Sequence, residues 1–105
     1  MFNFEREEYD KALKDFDYVI AHEQDDAAVF CSRGNLYHKI GDAEKALRDY
    51  DRAIQINPEY ADAYYNRGLV YENSGRAEDA LRDFEHALSL NPDKADIYTD
   101  MANVY

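Results

Sequence analysis

Apolar and polar residues alternate along this chain with the period of an α-helix, not that of a strand. Ala12, Leu13, Phe16, Val19 and Ile20 follow the spacing i, i+1, i+4, i+7, i+8, which gathers all five on one stripe of a helix over residues 7–21. Phe2 and Phe4 precede it without a clear period, either extending the helix or fraying, and the polar run His22 to Asp26 has room only for a turn. Phe30, Gly34 and Tyr37 share a face of a second helix, 27–40, widened by Val29, Leu36 and Ile40. Gly41 stops it, because glycine takes the left-handed backbone that closes many helices, and Asp42 suits the N-cap of the next. The third helix, 43–56, repeats the first stripe with Ala46, Leu47, Tyr50, Ala53 and Ile54. Asn57-Pro58 ends it, since the residue before a proline is driven out of the α region. The sequence then starts over. Tyr64, Gly68 and Tyr71 mark a helix over 61–74, Gly75 stops it, and Ala80, Leu81, Phe84, Ala87 and Leu88 form a stripe closed by Asn91-Pro92. A sixth helix over 95–105 is expected from Tyr98, Met101 and Ala102. With no strand signal, the pattern predicts an all-α array of six helices in antiparallel pairs.

The recurrence is an internal repeat. Residues 27–60 and 61–94 are identical at 14 of 34 positions, and the same shift aligns Phe16/Tyr50/Phe84 and Phe30/Tyr64/Tyr98. The chain is therefore expected to be one domain over 1–105. Residues 1–26 would supply the second helix of a partial repeat, 27–60 and 61–94 two full repeats, and 95–105 the first helix of a truncated one. Gly34 and Gly68 each cost about 1 kcal/mol of helix propensity relative to alanine, so close packing against the small Ala46 and Ala80 is expected there. Arg33 and Arg67 each precede an aspartate, Asp49 or Asp83, by the same interval, which places the charges on facing helices. They are either intra-repeat ion pairs or solvated charges worth little. Glu44 with Arg48 and Glu78 with Arg82 stand at i, i+4 in the favourable order.

Charge narrows the partner. Against 12 Lys and Arg stand 23 Asp and Glu, a net charge of −11. Nucleic acid is disfavoured, because phosphate binding is driven by cationic side chains that release counterions, and an anionic membrane surface is disfavoured for the same reason. A protein or peptide partner of neutral or basic character remains. Cys31 is the single cysteine, so no internal disulfide or cysteine metal cluster can form within the chain, and a reducing, cytoplasmic setting is expected. The N-terminus carries neither a basic n-region nor an apolar h-region. His22, His38 and His86 fall at different repeat positions, and neither a Gly-rich phosphate loop nor an HExxH motif occurs. No enzyme activity, cofactor or metal is expected, and Cys31, without a neighbouring base in sequence, reads as an inert small residue.

The period of 34, with an aromatic, x3, Gly, x2, Tyr, then Ala, x3, Tyr/Phe, then Ala and Pro, resembles the tetratricopeptide repeat. The residues that carry the resemblance are Phe30, Gly34, Tyr37, Ala46, Tyr50, Ala53 and Pro58, then Tyr64, Gly68, Tyr71, Ala80, Phe84, Ala87 and Pro92. Arg33 and Arg67 depart from it, standing where that family usually has leucine. The resemblance implies an α-solenoid, a right-handed superhelical array whose first helices line a concave groove that takes extended or helical peptides. It places Cys31, Asn35, His38 and Lys39 on the groove side of the first full repeat, with Ala28 and Ser32. It places Asp62, Tyr65, Asn66, Leu69, Glu72 and Asn73 there in the second, and Asp96 and Asp100 in the truncated one.

The family's chaperone-binding members hold a C-terminal carboxylate with Lys, Asn, Asn, Lys and Arg. The matching positions here are Cys31, Asn35, Asn66, Asp96 and Asp100. Every cation is missing and two are replaced by acids, so a carboxylate would meet like charge. The resemblance thus implies an interaction scaffold for a neutral or basic ligand, without the clamp. A rival reading is self-association, with a homodimer formed through the terminal helices, because repeat arrays normally need polar caps and Ile97, Met101 and Tyr105 lack a covering helix in the sequence.

Overall fold

The computed structural model describes residues 4–22, 26–92 and 101, and side chains among these from Glu7 onward. Its elements are α1 (Phe4–His22), α2 (Ala27–Ile40), α3 (Ala43–Ile56), α4 (Ala61–Asn73) and α5 (Ala77–Leu90). The described residues contain no strand. The expected sixth helix falls outside the described residues except for Met101, which is helical and packs on the core around Phe84. The first helix starts at Phe4, three residues earlier than the apolar stripe alone places it. No described helix is long and apolar enough to cross a membrane.

The helix boundaries have local causes. Asp26 opens α2 by accepting the Ala28 N–H at 2.9 Å, and Asp42 opens α3 by accepting the Lys45 N–H at 3.2 Å, each relieving a donor that a helix start leaves unsatisfied. Gly41 closes α2 at φ 98° and Gly75 follows α4 at φ 78°, both in the left-handed region that a side chain resists. At Asn57 the extended backbone before Pro58 ends α3, with Asn57 N–H donating to Ala53 C=O at 2.9 Å.

Contacts between helices step in opposite directions along α2 and α3. The Tyr37 ring lies near Lys45, Arg33 pairs with Asp49, and the Phe30 ring lies near Arg52, so the two are antiparallel; Arg67–Asp83 and Tyr64–His86 give the same sense for α4 and α5. Neighbouring first helices run the other way: Cys31 meets Asn66 and His38 meets Asn73, so α2 and α4 lie side by side in parallel. Ala46, Tyr50 and Ala53, with their counterparts Ala80, Phe84 and Ala87, are all 0% exposed. They form two linked cores, bridged by Ile54, which packs on both.

The glycines sit against aromatic rings, not against the alanines expected from sequence. A Cβ on Gly34 would lie 2.8 Å from Tyr50 Cε1, and one on Gly68 would lie 2.6 Å from Phe84 Cε1. The alanine contributes only its backbone, Ala80 O at 3.3 Å from the Gly68 position. The physical reason is that the ring one turn beyond the alanine leans back over the bare glycine backbone, as helical side chains do.

Candidate functional site: the face of α2 and α4

The site is built from the parallel pair α2 and α4. Each packs one stripe on the helix that follows it, and the residues expected to meet a partner fall outside that stripe, some of them between α2 and α4. The structure brings several of them together. Asn66 Nδ2 lies 3.5 Å from Cys31 Sγ, and Asn73 Nδ2 lies 3.0 Å from His38 Nε2. Both contacts join residues 35 apart, so one geometry is repeated two turns along the pair.

The residues of this face are not equally available. Cys31 is 3% exposed and belongs to the core around Tyr50, which corrects its expected place on an open surface: α4 packs over it. Asn35 is half-buried, and its Oδ1 accepts a hydrogen bond from Tyr50 Oη at 2.5 Å, so its acceptor end is already engaged. Tyr65 and Leu69 are half-buried and pack on the second core, Tyr65 with its ring 5.8 Å from that of Phe84. Asp62, Asn66, Glu72 and His38 are also half-buried, whereas Lys39 and Asn73 are exposed. Asp96 and Asp100 lie outside the described residues. At one end, where the α2–α3 turn meets the close of α4, His38, Gly41, Ala43, Val70, Asn73 and Ser74 line a cleft of about 280 Å³.

Behind this face sits a pair of arginine forks. Arg33 donates from Nε to Asp49 Oδ2 at 2.8 Å and from Nη2 to Asp49 Oδ1 at 2.7 Å. Its Nη1 donates to Asp17 Oδ1 on α1 at 2.8 Å. Arg67 repeats this with Asp83 at 2.8 and 2.7 Å and with Asp51 on α3 at 2.8 Å. Each arginine thus ties its own helix to the one that follows it and to the one before it. The sequence interval found the Asp49 and Asp83 legs; the equal interval upstream, to Asp17 and Asp51, was the missed signal. Phe30 and Tyr37 flank the Arg33 guanidinium with ring centroids at 5.6 and 5.8 Å, and Tyr64 and Tyr71 flank Arg67 at 5.5 and 5.9 Å. Hydrogen bonding to the buried aspartates, chiefly, raises both guanidinium pKa values against the opposing effect of desolvation. Arg82, expected to reach Glu78, approaches Asp79 at 3.9 Å instead.

Two family profiles, both described as tetratricopeptide repeat, match residues 34–102 and 4–61. The chain belongs to the tetratricopeptide repeat family. Solved tetratricopeptide repeat structures share its fold. The second such domain of human RPAP3, in complex with the HSP70 peptide SGPTIEEVD, is 28% identical with a TM-score of 0.85, over 96% of this chain and 84% of that one. The first such domain of Spaghetti (RPAP3), bound to the HSP90 peptide SRMEEVD, is 22% identical with a TM-score of 0.88, over 96% and 80%. MamA is 27% identical with a TM-score of 0.86, over 92% of this chain and 53% of that one; the chain spans about half of MamA. Comparison with curated proteins gives no match. Among the described residues, no group of three or more His, Cys, Asp or Glu is gathered as a metal site would require.

Proposed function

We propose that this chain is a non-enzymatic interaction module that binds an extended peptide or a partner helix along α2 and α4, taking neutral or basic ligands and not C-terminal carboxylates. The parsing into partial, full and truncated repeats, the right-handed superhelix and the concavity of this face belong to the same proposal. The observation that carries it is the chemistry at the positions of the family's carboxylate clamp. They hold Cys31, Asn35, Asn66, Asp96 and Asp100, with no cation among them. Cys31 is buried and Asn66 is turned toward it. The HSP70 peptide of the related RPAP3 domain ends in Glu-Glu-Val-Asp; a ligand of that kind would meet Asp62 and Glu72 here, and only Lys39 offers opposite charge on the described part of the face. A Lys- or Arg-bearing peptide meets complementary charge instead, while the amide nitrogen of Asn35, whose oxygen is taken by Tyr50, and the exposed amide oxygen of Asn73, whose nitrogen meets His38, suit a peptide backbone.

The test is a titration of two labelled peptides of equal length, one basic and one ending in Glu-Glu-Val-Asp, at low ionic strength and at about 0.15 M, where the Debye length is about 8 Å. Tighter binding of the basic peptide, weakened by salt and by Asn73→Ala with Lys39→Glu left able to bind, supports the assignment. Equal or tighter binding of the acidic peptide overturns it. Light scattering of the chain alone over a range of concentrations separates this reading from self-association through the terminal helices.

A further inference from the structure

Because α2 and α4 run in parallel, they close side by side, and the cleft between His38 and Asn73 lies at those two ends. Val70, 1% exposed, forms its floor, with half-buried Ala43 beside it and the exposed Asn73 and Ser74 at its rim. The rim presents acceptors. An amide nitrogen can only donate, so in the contact of Asn73 Nδ2 with His38 Nε2 at 3.0 Å the imidazole nitrogen accepts, and Asn73 Oδ1 keeps its own lone pairs. Each helix end adds partial negative charge from its dipole and its last carbonyl groups. At the close of α2 this is met by His38 and Lys39, whereas the last turn of α4 holds no basic residue. The start of α3 carries the opposite sign, but Asp42 caps it by accepting the Lys45 N–H, and Glu44 stands in its first turn. The cations beyond these ends are engaged elsewhere. Lys45 lies 5.5 Å from the centroid of the Tyr37 ring and 3.9 Å from Asp42, and Arg76 pairs with Asp79 at 2.7 Å.

We infer that this cleft anchors the bound peptide by taking one of its lysine side chains. The methylene stem lies over Val70 and Ala43, as the stems of long cationic side chains do on apolar surface, and the ammonium meets Asn73 Oδ1 and the Ser74 hydroxyl at the close of α4. Charge and shape decide for lysine. A carboxylate would meet acceptors and two negative helix ends. Arginine carries a planar fork matched to a carboxylate, and the cleft is lined by none, whereas an ammonium is a compact charge that single acceptors satisfy. The cleft shares no residue with the positions of the carboxylate clamp, Cys31, Asn35, Asn66, Asp96 and Asp100. The inference rests on α2 and α4 being a peptide-binding face and adds which side chain of the ligand is read there.

The experiment titrates the full chain, isotope-labelled, with the basic peptide, N-acetylated so that every ammonium comes from a lysine. Versions of the peptide replace each lysine in turn by norleucine, which keeps the stem and removes the charge, or by arginine. One norleucine replacement is expected to weaken binding about tenfold, the size of one hydrogen bond to a charged group, and to abolish the amide shifts of Gly41, Ala43 and Ser74. Arginine at that place should restore only part of the affinity, and the other replacements should cost much less. In Asn73→Ala the decisive replacement should lose most of its effect, since a pair in contact couples and distant sites add. Asn73 is exposed, so circular dichroism of Asn73→Ala should match the parent. Losses spread evenly over the lysines, or a decisive loss that is undiminished in Asn73→Ala, overturn the lysine anchor and leave the wider reading of the face standing. A basic peptide that does not bind at all overturns both.

Discussion

At the scale of the residue, one of the exchanges between residues 27–60 and 61–94 is coupled across two positions. In the first, the Tyr50 hydroxyl, on a side chain that is 0% exposed, donates to Asn35; in the second, both groups are apolar, Phe84 and Leu69. A buried hydroxyl needs an acceptor and a phenyl ring does not, so the two positions change together. Asn35→Leu alone strands that hydroxyl and should destabilise the chain by about 1–3 kcal/mol. Asn35→Leu with Tyr50→Phe should return most of the loss, since it copies the second repeat. Urea unfolding of the four species measures the coupling, and strictly additive losses would refute it. Tyr50 also sets an alkaline limit. Burial, first, and then the charges of Cys31 and Asp49 raise its pKa well above the ordinary 10.0. The folded state therefore keeps a proton that the unfolded chain releases, so stability is intact below about pH 10 and falls as pH rises beyond it, by up to about 1.4 kcal/mol per pH unit. Tyr50→Phe should flatten that fall in denaturant titrations at about pH 9 and about pH 11.

At the scale of the element, each arginine fork decides which helices move together. Arg67 joins α3, α4 and α5 through Asp51 and Asp83, and Asp83 is 5% exposed. Removing the cation leaves a buried carboxylate without its partner, a loss of about 3–5 kcal/mol for a broken buried pair. Arg67→Leu should be destabilised on that order, and Arg67→Leu with Asp83→Leu should recover much of it, because leucines of similar bulk need no counter-charge. If thermal melts show the double variant as unstable as the single, the fork matters through Asp51 instead. The helices themselves were legible in sequence because each carries its own period and its own stop, as Gly41 and Asn57 show. The Arg33–Asp49 pair was legible because the repeat wrote it twice. The burial of Cys31 was not, since the angle at which α4 lies across α2 comes from contacts far apart in the chain, and a 3.6-residue period says nothing of it. The rings over Gly34 and Gly68 were missed for a related reason: sequence gives the face a side chain occupies, while its lean along the helix depends on what it meets.

At the scale of the whole molecule, the excess of acid sets stability and recognition against each other. With 23 acidic and 12 basic residues, net charge −11, the folded chain holds like charges closer together than the unfolded chain does, and self-repulsion opposes compaction. The attractive contacts that matter most are sheltered: the Arg33 and Arg67 side chains are 19% and 20% exposed and their main partners 5% and 7%. Salt screens exposed charges over a Debye length of about 8 Å at 0.15 M and reaches such pairs much less. Screening should therefore remove more repulsion than attraction. The melting temperature is expected to rise with added sodium chloride, by about 4–8 °C for each kcal/mol relieved in a domain of this size, while the affinity for a basic peptide falls over the same range, because there the acids of the binding face, half-buried Asp62 and Glu72 among them, are the attraction. The two signs come from one cause and are measured on one sample, by calorimetric melts and by peptide titration across the same salt series. A melting temperature that falls with salt would mean that exposed pairs such as Arg76–Asp79, 2.7 Å apart, outweigh the repulsion, and the charge argument for a basic ligand would lose its footing with it.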